Sequence, residues 1–372
     1  MDQYLFVFSQ VHPQFRRAEL ESICDLYGIA WDRNKDFLSD EHHVCLFEFP
    51  SVNDVLRILS RSVLVKYALE WIASAGTYQD LYEAVAKRRD RILKYDSTEQ
   101  SFAIKMQTIG KKRMRISSHD VILKIGEALG FQRSPVNLSN PCNMFYVIEE
   151  NVSIWFQRLH CGKLKNVYSL KDRCYIGNTT LDPELSFLQA NIAKVNVGSI
   201  VLDPFCGTGG LMVAAAHFGA AVMGTEINYQ VARGVVNYVG KSSRAGVKYH
   251  TAEKSVAANF QQYGTDVYFM GLVIADASQH NLWYPGIHFN TVPVFDAIIT
   301  DPPYGVREKG QKVGVKEKNE SWIIKNTDHL IHFPEKAKYS ILSTFLDLID
   351  LACKLLVVGG RLLFWFPVLV AE

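Results

Sequence analysis

The run Asp203-Pro204-Phe205-Cys206-Gly207-Thr208-Gly209-Gly210 constrains this chain more than any other feature. It directly follows a short β-branched pattern, Ser199 to Leu202, and directly precedes a helical pattern, Leu211 to Phe218. Glycines at such a turn let the backbone fold back tightly and approach a ligand at the C-terminal edge of a strand. The spacing is not G-x-G-x-x-G and no Walker lysine follows, so neither NAD nor ATP is the expected ligand. The acid ahead of the glycines, Asp203, suits a cofactor with a cationic amino group better than it suits a pyrophosphate. Glu226 ends the second strand, where a carboxylate accepts both hydroxyls of a ribose, and Asp276 ends the third, placed for an exocyclic adenine amine. Three acids at three consecutive strand ends, with no phosphate cradle, point to S-adenosylmethionine.

The fourth strand, Phe295 to Thr300, ends in Asp301-Pro302-Pro303-Tyr304. An exocyclic amine on a base is a poor nucleophile, because its lone pair is delocalised into the ring. Hydrogen bonds from that amine to the Asp301 carboxylate and the Pro302 carbonyl favour a pyramidal nitrogen. Pro302 and Pro303 rigidify the turn, and Tyr304 offers a face on which a planar base stacks. Catalysis at such a site is mostly alignment and electrostatics.

These motifs belong to a regular alternation. Asp182 reads as an N-cap before Pro183, and short strand patterns recur at Ala221 to Thr225, Val267 to Ala275 and Arg361 to Phe366. Strands alternating with helices predict a parallel, doubly wound α/β sheet of Rossmann-like form over 182–372. The front half reads as α+β. Strands are expected at Tyr4 to Phe8, Val44 to Phe49 and Ser101 to Ile109, with a hairpin formed by Phe145 to Ile148 and Val152 to Leu159. Helices are expected over Phe15 to Tyr27, from Val52 after a Ser51 cap, and from Ser117 or Ser118 to Leu129. The expected segments are 1–65, 66–160 and a polar linker at 161–181.

Charge is nearly balanced, 40 Lys and Arg against 38 Asp and Glu, so any nucleic-acid surface must be local. Between Lys87 and Lys124 stand eleven Lys/Arg against four acids, a local excess of seven. Lys111, Lys112, Arg113 and Arg115 form its densest part and are the expected contacts to an RNA backbone. The long polar segment Gly305 to Phe333 reads equally as a lid or as disorder. Neither a signal peptide nor a membrane-spanning helix is expected. Seven cysteines without any C-x-x-C fit a reducing, cytoplasmic setting and no metal centre.

The two motifs, in this order, resemble those of S-adenosylmethionine-dependent amino-methyltransferases. The stretch Lys171-Asp172-Arg173-Cys174-Tyr175-Ile176-Gly177-Asn178-Thr179-Thr180-Leu181-Asp182-Pro183-Glu184-Leu185 narrows the likeness. It resembles the catalytic subunits of tRNA (guanine-10) N2-methyltransferases, a THUMP-containing family. That resemblance implies a ferredoxin-like segment over 1–65 and a THUMP RNA-binding domain over 66–160, ahead of the methyltransferase domain. It implies cofactor contacts at Asp203, Phe205, Gly207, Gly209, Glu226 and Asp276, with Thr179 and Thr180 near the methionine end. Asp301 to Tyr304 match its catalytic motif, and tRNA is the implied substrate. It also implies a small zinc-binding activator subunit, for which the unusually apolar third strand, with Phe269 as a contact, is the expected docking edge. The family completes its sheet with an antiparallel hairpin after the fifth strand; those last strands are expected to be missing here. The residues alone leave open an amino-methyltransferase acting on DNA, rRNA or a protein glutamine, and a non-catalytic RNA-binding scaffold.

Overall fold

Alternation in the first strand sends Tyr4, Phe6 and Phe8 to one face and Leu5 and Val7 to the other, and all five side chains are buried. A strand buried on both faces belongs inside a sheet. In the computed structural model, which describes residues 2–34, 44–109, 116–150, 153–161, 167–177, 179–234, 255–283, 293–305, 310–314, 336–366 and 368, that sheet has six strands. Their order is β2-β1-β3-β6-β5-β4. The strands are β1 (Asp2–Phe8), β2 (Val44–Phe49), β3 (Val65–Ala75), β4 (Phe102–Ile109), β5 (Asn143–Glu150) and β6 (Ser153–Cys161). Neighbours run antiparallel except β4 and β5, which are parallel.

Two helix-covered cores share this sheet, and Leu5, Val7, Val44, Leu69 and Ile148 form a further cluster on it. The helices Arg16–Tyr27 and Val52–Arg61 pack Leu20, Ile23, Val55 and Ile58 with Phe6, Phe8 and Phe47. The Ser51 hydroxyl caps the second helix, accepting from the Asp54 amide at 3.3 Å. The helices Tyr78–Lys87 and Ser118–Leu129 bury Leu81, Val85, Val121 and Ile125 with Phe102, Phe145 and Val147. Strand β3 serves both: Val65 and Ala68 join the first core, Ile72 and Ala73 the second. Its register with β6 shifts between Trp71 and Ala73, where the strand changes core. The boundary expected at 65/66 therefore falls at the start of a strand that runs through both halves of one sheet.

The chain forms two compact units, Met1–Leu164 and Lys165–Glu372. The second contains a five-stranded sheet of order β13-β10-β7-β8-β9, parallel throughout. Its strands are β7 (Ile200–Asp203), β8 (Ala221–Glu226), β9 (Phe269–Ile274), β10 (Phe295–Thr300) and β13 (Leu356–Phe364). Short β11 (Gln311–Val313) and β12 (Lys336–Lys338) pair separately. Strand β13 begins five residues before the expected Arg361, and Gly359 and Gly360 lie within it. Helix Pro183–Ile192 starts at the Asp182 cap. The segment read as a linker, described over 167–177, is packed within this unit: Tyr168, Arg173, Tyr175 and Ile176 are all buried.

Candidate active site

The order of the sheet reverses between β7 and β10. At such a switch point the loops leaving the strand ends diverge and open a crevice, the usual ligand site of open α/β sheets. Asp203 ends β7, Glu226 ends β8, Asp301 directly follows β10, and Asp276 lies two residues past β9. The acids expected from sequence thus gather at one edge.

The glycine turn joins β7 to helix Gly210–His217. Gly207 and Gly209 adopt φ of 53° and 82°, a left-handed region that costs any residue with a Cβ. A Cβ on Gly209 would also sit 2.8 Å from Val256 Cγ1, whereas the space above Gly207 is open. The Gly207 amide donates to Glu226 Oε2 at 3.0 Å, and the Asn228 amide to Oε1 at 2.7 Å. Asp276 Oδ1 accepts from the Ser278 amide, and its Oδ2 from the amide of Val313 in β11.

Asp203 is buried, and its Oδ1 accepts from the Thr300 hydroxyl at 2.7 Å and the Phe205 amide at 3.1 Å. Among the described residues no donor reaches Oδ2. Burial pushes this carboxyl up to about 7; the Asp301 and Glu226 charges add to the rise, and the two hydrogen bonds oppose it. Carboxylates crowded in this way favour a cationic guest, which is the charge of the amino group and sulfonium of S-adenosylmethionine. The residues present fit that cofactor.

A pH dependence follows. Between about pH 4 and 7 the folded chain holds a proton on Asp203 that the unfolded chain has lost. The unliganded second unit should therefore lose stability as pH rises through that window and level off above it. Asp203→Asn should flatten the slope, as read by urea unfolding across a pH series. An equal slope in the variant would remove Asp203 as its source.

Asp301 is partly exposed, and the Tyr304 hydroxyl donates to its Oδ1. Burial and that carboxylate raise the Tyr304 pKa, so the phenol stays protonated. Pro302 is buried and Pro303 half-buried. Phe205 and Tyr304 pack against the core of Leu202, Ile298, Phe345 and Leu348, so one part of the Tyr304 ring is already covered. Thr180 meets the glycine turn, with its Oγ1 3.0 Å from Thr208 Oγ1; Thr179 lies beside it, half-buried. Lys111, Lys112, Arg113 and Arg115 lie outside the described residues, as does most of 305–333.

Sequence reading missed Asn259, on helix Val256–Gln262. Fully buried, it accepts from the Tyr175 amide at 2.9 Å and donates to the carbonyls of Tyr175 and Thr208 at 2.8 and 3.1 Å. It ties the segment before Thr180 to the glycine turn. Gln189 was missed as well; its amide donates to the carbonyls of Thr300 and Leu363 at 3.0 and 2.8 Å, pinning the ends of β10 and β13 beside Asp301. The only sequence signal for either is a polar residue on a short apolar helix.

Strand order, glycine turn and clustered acids define a Rossmann-like, S-adenosylmethionine-dependent methyltransferase domain. The family models agree: residues 2–160 match the Tmrp11 THUMP N-terminal domain, and residues 171–317 the RMKL-like methyltransferase domain. Among curated proteins, the tRNA (guanine(10)-N(2))-methyltransferase TRMT11 of Xenopus laevis is 34% identical, covering 98% of this chain and 76% of the relative. The Homo sapiens TRMT11 is 33% identical, covering 100% and 81%. The chain belongs to this TRMT11 family of tRNA (guanine(10)-N(2))-methyltransferases. Solved structures similar to it include TrmN from Thermus thermophilus (17% identity, TM-score 0.44, 82% of this chain and 80% of that one). SMU.472 complexed with SAH is also similar (10% identity, TM-score 0.47, 83% and 82%).

Proposed function

We propose that this chain transfers a methyl group from S-adenosylmethionine to the exocyclic N2 amine of a guanine in tRNA, at position 10. The observation that carries the reading is the row of acids at the strand ends: Asp203 opens the glycine turn, Glu226 accepts from Gly207 within it, Asp276 follows β9, and Asp301 opens the adjoining D-P-P-Y turn. The cofactor supplies an electrophilic methyl on a positively charged sulfur. Asp203 holds the amino group, Glu226 the ribose and Asp276 the adenine amine, with Phe205, Gly207, Gly209, Thr179 and Thr180 completing the pocket. Asp301 and the Pro302 carbonyl accept hydrogen bonds from the guanine amine and aim its lone pair at the methyl. The Tyr304 hydroxyl on Oδ1 holds the Asp301 carboxylate in one orientation.

The N-terminal unit and its basic run, Lys111, Lys112, Arg113 and Arg115, grip the tRNA backbone. The test is methyl transfer to unmodified tRNA, with DNA and a glutamine peptide as controls and nucleoside mass spectrometry to identify the product. Replacing all four basic residues by Ala should lower the salt dependence of tRNA binding by roughly 0.7–0.9 for each phosphate no longer neutralised. Transfer to DNA or peptide alone would sink the substrate assignment, and an unaltered salt slope the assignment of the run.

We further propose that a small zinc-binding activator subunit covers β9, the last strand of its sheet among the described residues. Met270 is 59% exposed and Ile274 39%, a free apolar edge that favours an added strand. Phe269, the contact expected from sequence, instead turns inward and stacks on Phe260, with ring centroids 4.5 Å apart. Met270→Lys is therefore the cleaner probe. It should abolish co-purification with the activator while leaving the circular dichroism spectrum unchanged; retained co-purification would count against this edge. Cys24, Cys45, Cys142, Cys174, Cys206 and Cys353 are free thiols, which supports a cytoplasmic setting that cell fractionation can check. No described helix is long and apolar enough to cross a membrane.

A further inference from the structure

A two-stranded ribbon standing by itself is marginal in water, so β11 and β12 need anchors. They pair antiparallel, with Gln311 opposite Lys338, Lys312 opposite Ala337 and Val313 opposite Lys336. The Tyr339 amide donates to the Gly310 carbonyl at 2.9 Å, and a Cβ on Gly310 would stand 2.6 Å from the Tyr339 carbonyl oxygen. Glycine permits that approach. Tyr339 is buried, and its hydroxyl donates at 2.6 Å to Oδ2 of Asp347 on helix Ile341–Leu355. Burial, and then the Asp347 carboxylate, raise the Tyr339 pKa, so the phenol keeps the proton that makes this anchor. At the other margin the Val313 amide donates to Asp276 Oδ2. The ribbon is thus fastened to the acid proposed for the adenine amine, and Gly310 lies only six residues past Tyr304 of the D-P-P-Y turn.

These anchors leave one face of the ribbon unused. Residues directly opposite, and residues two apart, share a face. Lys312, Ala337 and Tyr339 form the inner face, with the Lys312 ammonium 5.6 Å from the centroid of the Tyr339 ring. Gln311, Val313, Lys336 and Lys338 form the outer one. Gln311, Val313 and Lys338 are exposed, and Lys336 is half-buried. Neither Lys336 nor Lys338 has an ion-pair or hydrogen-bond partner among the described residues. The two carboxylates that hold the ribbon, Asp276 and Asp347, are engaged by Val313 and Tyr339 instead.

An unpaired basic face, tied to the cofactor crevice and close in sequence to the catalytic turn, suits the backbone of the strand that delivers the base. We propose that the outer face of the β11–β12 ribbon binds the RNA phosphates flanking the target guanine, with Lys336 and Lys338 supplying the charge and Gln311 a neutral donor. This contact belongs to the methyltransferase unit itself and is separate from the basic run of the N-terminal unit. It rests on the tRNA reading and names the element of the catalytic unit that holds the substrate strand.

The test uses the full chain and unmodified tRNA. Replacing Lys336 and Lys338 together by Ala should weaken tRNA binding roughly tenfold near physiological salt and lower the log–log salt slope by roughly 0.7–0.9 for each phosphate released. The KM for tRNA should rise by a like factor. S-adenosylhomocysteine affinity, read by calorimetry, should stay within a few-fold and so report an intact cofactor crevice. Lys336→Arg with Lys338→Arg should restore both slope and KM, because either cation neutralises a phosphate. For location, a 4-thiouridine beside the target guanine should photo-crosslink to residues 336–339, as read by mass spectrometry of the digested chain. If the Ala pair loses S-adenosylhomocysteine as well, the Arg pair and the crosslink decide. An unchanged salt slope in the Ala pair, or crosslinks confined to the N-terminal unit, would overturn the proposal while leaving tRNA as the substrate. A wild-type chain that methylates DNA or peptide and not tRNA would overturn the substrate reading itself.

Discussion

Asp301→Ala is expected to lower methyl transfer by ~10²-fold or more while leaving S-adenosylhomocysteine affinity within a few-fold. The carboxylate opens the D-P-P-Y turn at the end of β10, where the proposed mechanism brings the base amine to the cofactor crevice, and none of the contacts proposed for the cofactor pass through it. Single-turnover kinetics and calorimetry read the two quantities separately. Tyr304→Phe should cost less, because it removes only the hydroxyl that orients Asp301 and keeps most of the ring packing. Turnover unaltered by Asp301→Ala in an active preparation would exclude the alignment mechanism. A parallel loss of transfer and cofactor affinity would reassign Asp301 to the cofactor pocket.

Asn259→Leu should be the most damaging substitution away from the reacting atoms. It strips partners from the Tyr175 amide and from the carbonyls of Tyr175 and Thr208, all in a buried setting. An unsatisfied buried group costs about 1–3 kcal/mol, so a loss on the order of 3 kcal/mol is expected for the second unit. The glycine turn loses its tie to the segment before Thr180, and S-adenosylhomocysteine affinity should fall with stability. Thermal unfolding and calorimetry measure both, and a variant unchanged in either would leave Asn259 without the bridging role.

The acids at the strand ends were legible because each closes a short β-branched run, and a parallel strand delivers its C-terminal residue to one edge. The same logic located β7, β8 and β10 to within a residue. Strand β3 escaped because its Val65–Ala75 run interleaves Lys66, Glu70 and Trp71 across a register shift, which blurs any period of two. The segment 167–177 looked like a linker because it is polar and aperiodic. Its burial comes from partners far away in sequence: Tyr168 bonds His217 at 2.7 Å, and the Gln262 side chain accepts from the Cys174 amide at 2.8 Å. No local pattern encodes such contacts. Asn259 was invisible for the same reason, and the buried Arg173 could be placed only once Gly210 and Tyr263 surrounded it.

The shared strand β3 also bears on how the N-terminal unit comes apart. Its backbone is a wall of both hydrophobic cores, so melting either one withdraws a face from the other. Hydrogen-exchange protection should then decay as a single cooperative block across β1, β3, β5 and β6, rather than as two blocks meeting near residue 65. A fragment begun at residue 66 would leave Ala68 and Leu69 without the β1 residues Phe6 and Leu5 that face them in register. It would present a raw sheet edge, the surface through which chains aggregate.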